Sequence, residues 1–566
     1  MRATTMTDPV PPERELYLFG DAELSKEKGM PEHQNLYRYV AIATAVGVSA
    51  AGLYYLIWRR SNSKKKSLSV KELKDLGNKL FAAKKYADSI RIFSKAIAAG
   101  SSDDCELLKA MCYQNRAAAK EHHGGYNVDD MLSDCEQALN CNPRYAKAYF
   151  RRARLLEMKK EHMPSLISLF CATQLDPALD TQSSQLLPVL LEELEKKAHQ
   201  EWLDDTSSRG KVKHVRHEKV YSWLYKTVMD DCVRRDVLTL KISDDSPYTK
   251  AIELIRNKKY DDVADLAVQQ NGSHEMEAQI LAARFYFYRN QMDRYSTCID
   301  KFDALFGALP EEERKEKEDL LIAKHILLIE SGRTPQEIKK AFTTASDAIQ
   351  KKCPDFYVMA SFRYVLCNEI TDAMELLTTE GMSTTNMKLL LLTLQILRNA
   401  NREDNTPDMA MLHGNILQLE SFVNSLDPKS GYALSILAKI TATFSSDAAA
   451  RSISDEILKM EPTESIHYFD RSCMSASGKD AMEYLEKCMA IEPYHPEANL
   501  MFASLMMNEI GSRAVTPDEY ERIDKHIAIS LSTFDDNIDF PVILAVFRLR
   551  EVLAAKKEAA RILSLS

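Results

Sequence analysis

Hydrophobic residues recur along this chain at helical spacing, first as one unbroken run and then as pairs of amphipathic segments. The unbroken run is Tyr39–Trp58, twenty residues without a single charge. At about 1.5 Å per residue it would be about 30 Å long, the thickness of a bilayer's hydrocarbon core. Tyr39, Tyr54, Tyr55 and Trp58 sit near its ends, where amphipathic rings favour the membrane interface. A buried core helix is the plainer alternative, but such flanks fit a transmembrane anchor over 39–58. Arg38 precedes it, and Arg59, Arg60, Lys64, Lys65 and Lys66 follow. The more basic flank faces the cytosol, so a single pass with the bulk of the chain in the cytosol is expected. Residues 1–38 form a short tail with seven acids against five bases, unlike an acid-poor transit peptide.

Behind a basic linker at 59–68 the pattern becomes periodic. In SDCEQALNCNP and SLFCATQLDP, Ala138 and Pro143 recur 34 residues later as Ala172 and Pro177. LKDLGNKLFAAKKYADSIRIFSKAI puts Gly77, Tyr86, Ser89, Phe93 and Ala96 at corresponding places. A 34-residue helix–turn–helix period, with small residues where helices approach and Pro closing the second helix, is the tetratricopeptide (TPR) pattern. Three such units cover 69–180. Residues 181–245 break the pattern as a helical linker, its basic 209–219 stretch (Arg209, Lys211, Lys213, Arg216, Lys219) expected to be solvated. The period resumes at Ala251, Tyr260 and Ala267, and again at Ala481, Pro493 and Ala503, with a faint signature between 300 and 460. The expected fold is all-α, a TPR superhelical solenoid in two arrays, the second at 246–566 with six to eight units.

Composition adds exclusions. Of 566 residues, Gly and Pro number only 17 and 19, which suits helices better than strands and turns. A net charge of -9 argues against general nucleic-acid binding. Eleven Cys without any CxxC argue against a disulfide framework. His122–His123 precedes two glycines with no ligand at metal spacing, and no P-loop, GxSxG or HExxH occurs. Neither metal, cofactor nor enzymatic activity is expected.

The candidate chemistry lies on the first helices of the repeats. Lys74 and Asn78 are four apart on one face; Asn115 holds the sixth place of the second repeat. Lys147 and Arg151 are again four apart, Arg151 holding the sixth place of the third. Ordinary solvated polarity would explain any one of them. Five in register suit the C-terminal carboxylate of a peptide, which Arg can bind bidentately. KELKDLGNKLF, CYQNRAAA and KAYFRRAR resemble the carboxylate-clamp TPR domains that bind chaperones ending in Glu-Glu-Val-Asp.

With an anchor upstream and a longer array downstream, the chain resembles the large TPR import receptors of the mitochondrial outer membrane, the seventy-kilodalton subunits of its translocase. The resemblance implies docking of heat-shock chaperones of the seventy- and ninety-kilodalton classes, contact with other translocase subunits, and transfer of precursor proteins such as metabolite carriers to the second array. Met374, Met382, Met387, Met409, Met411, Met501, Met506 and Met507 could line such an adaptable groove or simply fill the core. The alternative is an anchored TPR co-chaperone or scaffold on another membrane, such as the endoplasmic reticulum.

Overall fold

The computed structural model describes residues 68–99, 106–204, 214–227, 231–345, 350, 352–378, 384–400, 408–533 and 540–565. The expected anchor at 39–58 lies outside them. Among the described residues no helix is long and apolar enough to cross a membrane, and every regular element is helical. The chain divides into two compact units between Tyr126 and Asn127.

The first unit holds α1 (Val70–Ala82), α2 (Tyr86–Ala99) and α3 (Glu106–His123). A capping box starts α1: the Ser69 side chain accepts from the Glu72 N–H, and the Glu72 carboxylate accepts from the Ser69 N–H at 2.9 Å. Val70, Leu73, Phe93, Ala96 and Cys112 make its core. Gly77 is required by close approach, since a Cβ there would lie 2.5 Å from the Phe93 ring. Ser89 Oγ donates to the Gly77 carbonyl at 3.0 Å and fixes α2 across α1.

The second unit begins with α4 (Val128–Cys141), α5 (Ala146–Met158), α6 (His162–Leu175) and α7 (Asp180–Asp204). Next come α8 (His217–Tyr221), α9 (Cys232–Thr239), α10 (Pro247–Arg256), α11 (Val263–Ala267), α12 (Glu275–Tyr288) and α13 (Met292–Ala308). The middle is α14 (Glu311–Glu316), α15 (Glu318–Ser331), α16 (Pro335–Thr344), α17 (Asp355–Leu366), α18 (Ile370–Leu377), α19 (Thr385–Ala400) and α20 (Met409–Asn424). The last are α21 (Gly431–Phe444), α22 (Asp447–Met460), α23 (Ser465–Cys473), α24 (Gly478–Ile491), α25 (Pro496–Ile510), α26 (Pro517–Leu531) and α27 (Phe540–Ser564). Consecutive helices pack as pairs, as in α5–α6, α12–α13, α21–α22 and α23–α24. The fold is therefore the expected all-α TPR type.

One core cluster runs from Val215 to Leu394, a second from Leu389 to Ile457, and a third joins Ala198 to residues 485–553. The long α27 packs against both α6 and α7. Cys171 Sγ faces the Ala559 carbonyl, and Arg548 pairs with Glu195 at 2.8 Å. Met374, Met387, Met506 and Met507 are buried in these cores, whereas Met409 and Met411 are exposed; Met382 lies outside the described residues.

The described end of the expected solvated stretch is largely buried. Val215, Arg216, His217 and Val220 are buried, because carboxylates gather around them. Arg216 pairs with Glu218 and Glu497. The His217 N–H donates to Glu492 at 3.0 Å, and its ring lies 2.6 Å from Glu464. Of the expected basic stretch, Arg209, Lys211 and Lys213 lie outside the described residues, while Arg216 is buried because a counter-charge comes from Glu497, 281 positions away.

Candidate functional site

The five residues of the expected clamp fall into two groups. Lys74, Asn78 and Asn115 belong to the first unit; Lys147 and Arg151 belong to the second. In the first group, Lys74 and Asn78 sit one turn apart on α1. Asn115, on α3, donates its side-chain amide to the Asn78 side-chain oxygen at 2.8 Å. That bond spans 37 residues of sequence and brings the faces of α1 and α3 into register. Lys74 lies 3.3 Å from the Asp75 carboxylate. Burial pushes the neighbouring Cys112 thiol up to about 11, against the opposing fields of Lys74 and Arg116. The thiol stays neutral, and the faces of α1 and α3 carry one cation, Lys74, and two amides, Asn78 and Asn115. Such a surface offers N–H donors and positive charge to a carboxylate.

In the second group, Lys147 and Arg151 share one face of α5. Ser165 Oγ on α6 donates to the Ala153 carbonyl at 2.7 Å. It occupies the place that Ser89 and Gly77 take in the first repeat, and so fixes the pose of α5 within its helix pair. His122 and His123 form the end of α3, and His122 stacks on Tyr86 with centroids 5.5 Å apart.

A further polar surface was not apparent from the sequence. Lys439 pairs with Asp470 at 2.9 Å, and Ser435 Oγ bonds the same carboxylate at 3.0 Å. The Lys226 ammonium lies over the rings of Tyr221 and Tyr432, at 5.2 and 5.5 Å. Burial draws that ammonium below the usual lysine range. Glu218 also experiences strong desolvation, yet Arg216 and Lys226 outweigh it and hold the carboxyl below its ordinary value. Lys439 and Glu218 nonetheless keep 52% and 42% of their side chains exposed. Lys226, Lys439, Glu218 and Asp470 thus form one cluster of interacting charges that water partly reaches. No short-range signal could have found it, because its residues come from segments near 220, 435 and 470.

No family model matches the chain. It is 26% identical over 339 residues, 58% of each chain, to the mitochondrial import receptor subunit tomm-70 of Caenorhabditis elegans. To the mitochondrial import receptor subunit TOM70 of Homo sapiens it is 25% identical over 249 residues, 41% of this chain and 40% of the other. The Hsp70/Hsp90 co-chaperone cns1 of Schizosaccharomyces pombe is 32% identical over 165 residues, 29% of this chain and 41% of that one. The crystal structure of the yeast Tom70 aligns over 88% of this chain and 96% of that one, with 15% identity and a TM-score of 0.42. In sequence the match spans a little over half the length of tomm-70 and less than half of TOM70 and of cns1. The resemblance read from the sequence is the resemblance these relatives carry.

Proposed function

We propose that the protein is an import receptor of the mitochondrial outer membrane, held by a single pass at 39–58 with the bulk of the chain in the cytosol. It docks heat-shock chaperones of the seventy- and ninety-kilodalton classes by their C-terminal Glu-Glu-Val-Asp. It then accepts the hydrophobic precursors they carry, among them metabolite carriers, for import with the other subunits of the translocase. The observation that carries the reading is the Asn115–Asn78 bond with Lys74 one turn away, a donor-rich, cationic surface of the kind a terminal carboxylate takes. The repeat register adds Lys147 and Arg151, and the similarity to tomm-70 and TOM70 supports the import role.

In this reading the charged cluster around Lys226, Lys439, Glu218 and Asp470 receives the precursor. Its tyrosines offer apolar area, and its paired charges offer hydrogen bonds to segments of either sign. Two weak sites on one chain gain affinity through effective concentration, so neither needs to bind tightly. A second reading, an anchored co-chaperone, is favoured by the similarity to cns1.

The test is titration with a peptide ending in Glu-Glu-Val-Asp. The wild-type chain should bind the free acid and bind the C-terminal amide more weakly by about 1.5–3 kcal/mol, the worth of charge-assisted bonds. Arg151→Ala should lose most of the affinity. Equal binding of acid and amide would remove the clamp. Import of a carrier precursor into mitochondria bearing Arg151→Ala separates the receptor from the co-chaperone, since only the receptor reading requires import to slow.

A further inference from the structure

The first unit presents, at the end opposite Leu68, a face built of aromatic rings and bases. The turn after α1 carries Lys84 and Lys85, both exposed, between Phe81 and Tyr86, whose rings meet edge to face at 5.4 Å. His122 closes the group, 5.3 Å from Phe81 and 5.5 Å from Tyr86. Beside it Tyr126 is 39% exposed, with His123 against its ring at 5.6 Å and the Lys120 ammonium at 5.7 Å. Asp88, the acid nearest in sequence to the turn, is already paired with Arg91 at 2.6 Å.

Charge is distributed unevenly along the chain. Residues 59–126 hold fifteen Lys and Arg against seven Asp and Glu, a net +8, while 127–566 hold 54 against 69, a net -15. A chain acidic as a whole concentrates its positive charge in the segment that follows the expected anchor. An anionic surface therefore attracts this segment and repels the rest.

We propose that the Phe81–Tyr86–His122–Tyr126 face, with Lys84, Lys85 and Lys120, rests on the anionic headgroups of the membrane that holds the chain. The inference relies on the reading of 39–58 as an anchor. Eleven residues, 59–69, separate the end of that segment from α1, and extended they reach about 36 Å. The thirteen residues of α1 are about 20 Å long, so the linker lets its far end come down to the bilayer. Tyrosine rings suit headgroup depth, and each lysine near such a surface adds about fivefold to partitioning.

The experiment uses the full chain in nanodiscs of phosphatidylcholine alone or with one part in three phosphatidylserine. Hydrogen exchange should slow at residues 83–86 and 122–126 only on the anionic discs. High salt should restore it, and the double variant Lys84→Glu/Lys85→Glu should abolish the slowing while leaving the exchange of α2 unchanged. Equal exchange on both discs, in a chain that resists alkaline extraction, overturns the proposal and leaves the anchor standing. If alkali extracts the chain, the anchor reading fails, and vesicles of the same two compositions decide the face. Co-sedimentation with anionic vesicles that the double variant loses supports it; no co-sedimentation overturns it.

Discussion

Gly77 and Arg284 show how single residues hold this fold in opposite ways. At Gly77 the absence of a side chain is the contribution, since a methyl group would enter the Phe93 ring. Gly77→Ala should destabilise the first unit by about 1–3 kcal/mol, the usual cost of overpacking, read as a lower denaturation midpoint. Arg284 acts through its charge. It is fully buried, pairs with Asp231 at 2.9 Å and with Glu330, and lies 4.7 Å over the Trp223 ring. Trp223 Nε1 and Tyr288 Oη donate to the same two carboxylates. Removing only the cation leaves two acids in the core without their counter-charge, so Arg284→Met should cost about 3–5 kcal/mol. Urea denaturation of the variant checks this. A loss below about 1 kcal/mol would mean that the acids relax to water or take up protons at little cost.

Helix ends carry the repeat more faithfully than helix faces do. Five first helices, α1, α5, α10, α12 and α17, end in the same turn. A left-handed residue (Lys84, Lys160, Lys258, Asn290 or Asn368) stands two places past the helix, with φ between 56° and 64°. In each case its N–H and the next reach back to carbonyls three and five residues earlier, as Lys160 to Glu157 and Glu161 to Leu156. Second helices end on the residue before a proline, at Asn142 and Asp176 in extended backbone and at Glu461 and Glu492 with a smaller ψ. The sequence makes the first three repeats legible because Ala138, Pro143, Ala172 and Pro177 keep both spacing and chemistry. Between 300 and 460 the repeat is faint because the turn at Asn368 keeps its backbone while the small and aromatic side chains change. On the candidate site, the i,i+4 pairs were legible, since helix geometry alone fixes them. The Asn115–Asn78 bond and the charge cluster near Lys439 were not, since both need tertiary structure. Lysine pays a steric penalty in the left-handed region that glycine avoids, so Lys160→Gly should raise stability by about 0.5–1 kcal/mol, and Lys160→Val should lower it. Thermal melts of the two variants should bracket the wild type.

Across the second unit, ion pairs join parts of the chain that the repeat pattern treats as unrelated. The turn after α10 reaches the turn before α23, where Lys258 bonds the Thr463 carbonyl at 2.8 Å and the Glu464 carboxylate at 3.0 Å. His217 places its ring between Tyr260 and the same Glu464. Tyr221 donates to Glu461 at 2.6 Å, and His467 lies 2.7 Å from that carboxylate. The buried segment 215–221 is thus a strap between two stretches about 200 residues apart, held chiefly by acids. Burial alone would raise the Glu464 pKa, but the hydrogen bonds and charges of His217 and Lys258 prevail and lower it to about 2. A carboxylate whose folded pKa lies below its unfolded value stabilises the fold above the unfolded pKa, here 4.5. That stabilisation fades as pH falls from about 4.5 towards 2. The drop corresponds to at most about 3 kcal/mol, at 1.36 kcal/mol per unit. Glu464→Gln should therefore be less stable than wild type at pH 7, and the gap between them should close as pH falls through that window. Urea midpoints of the two proteins, compared from pH 7 down to pH 3, measure it. A gap that stays constant with pH would show that Glu464 holds the strap by shape and hydrogen bonding, with its charge contributing nothing to the closure of the two stretches.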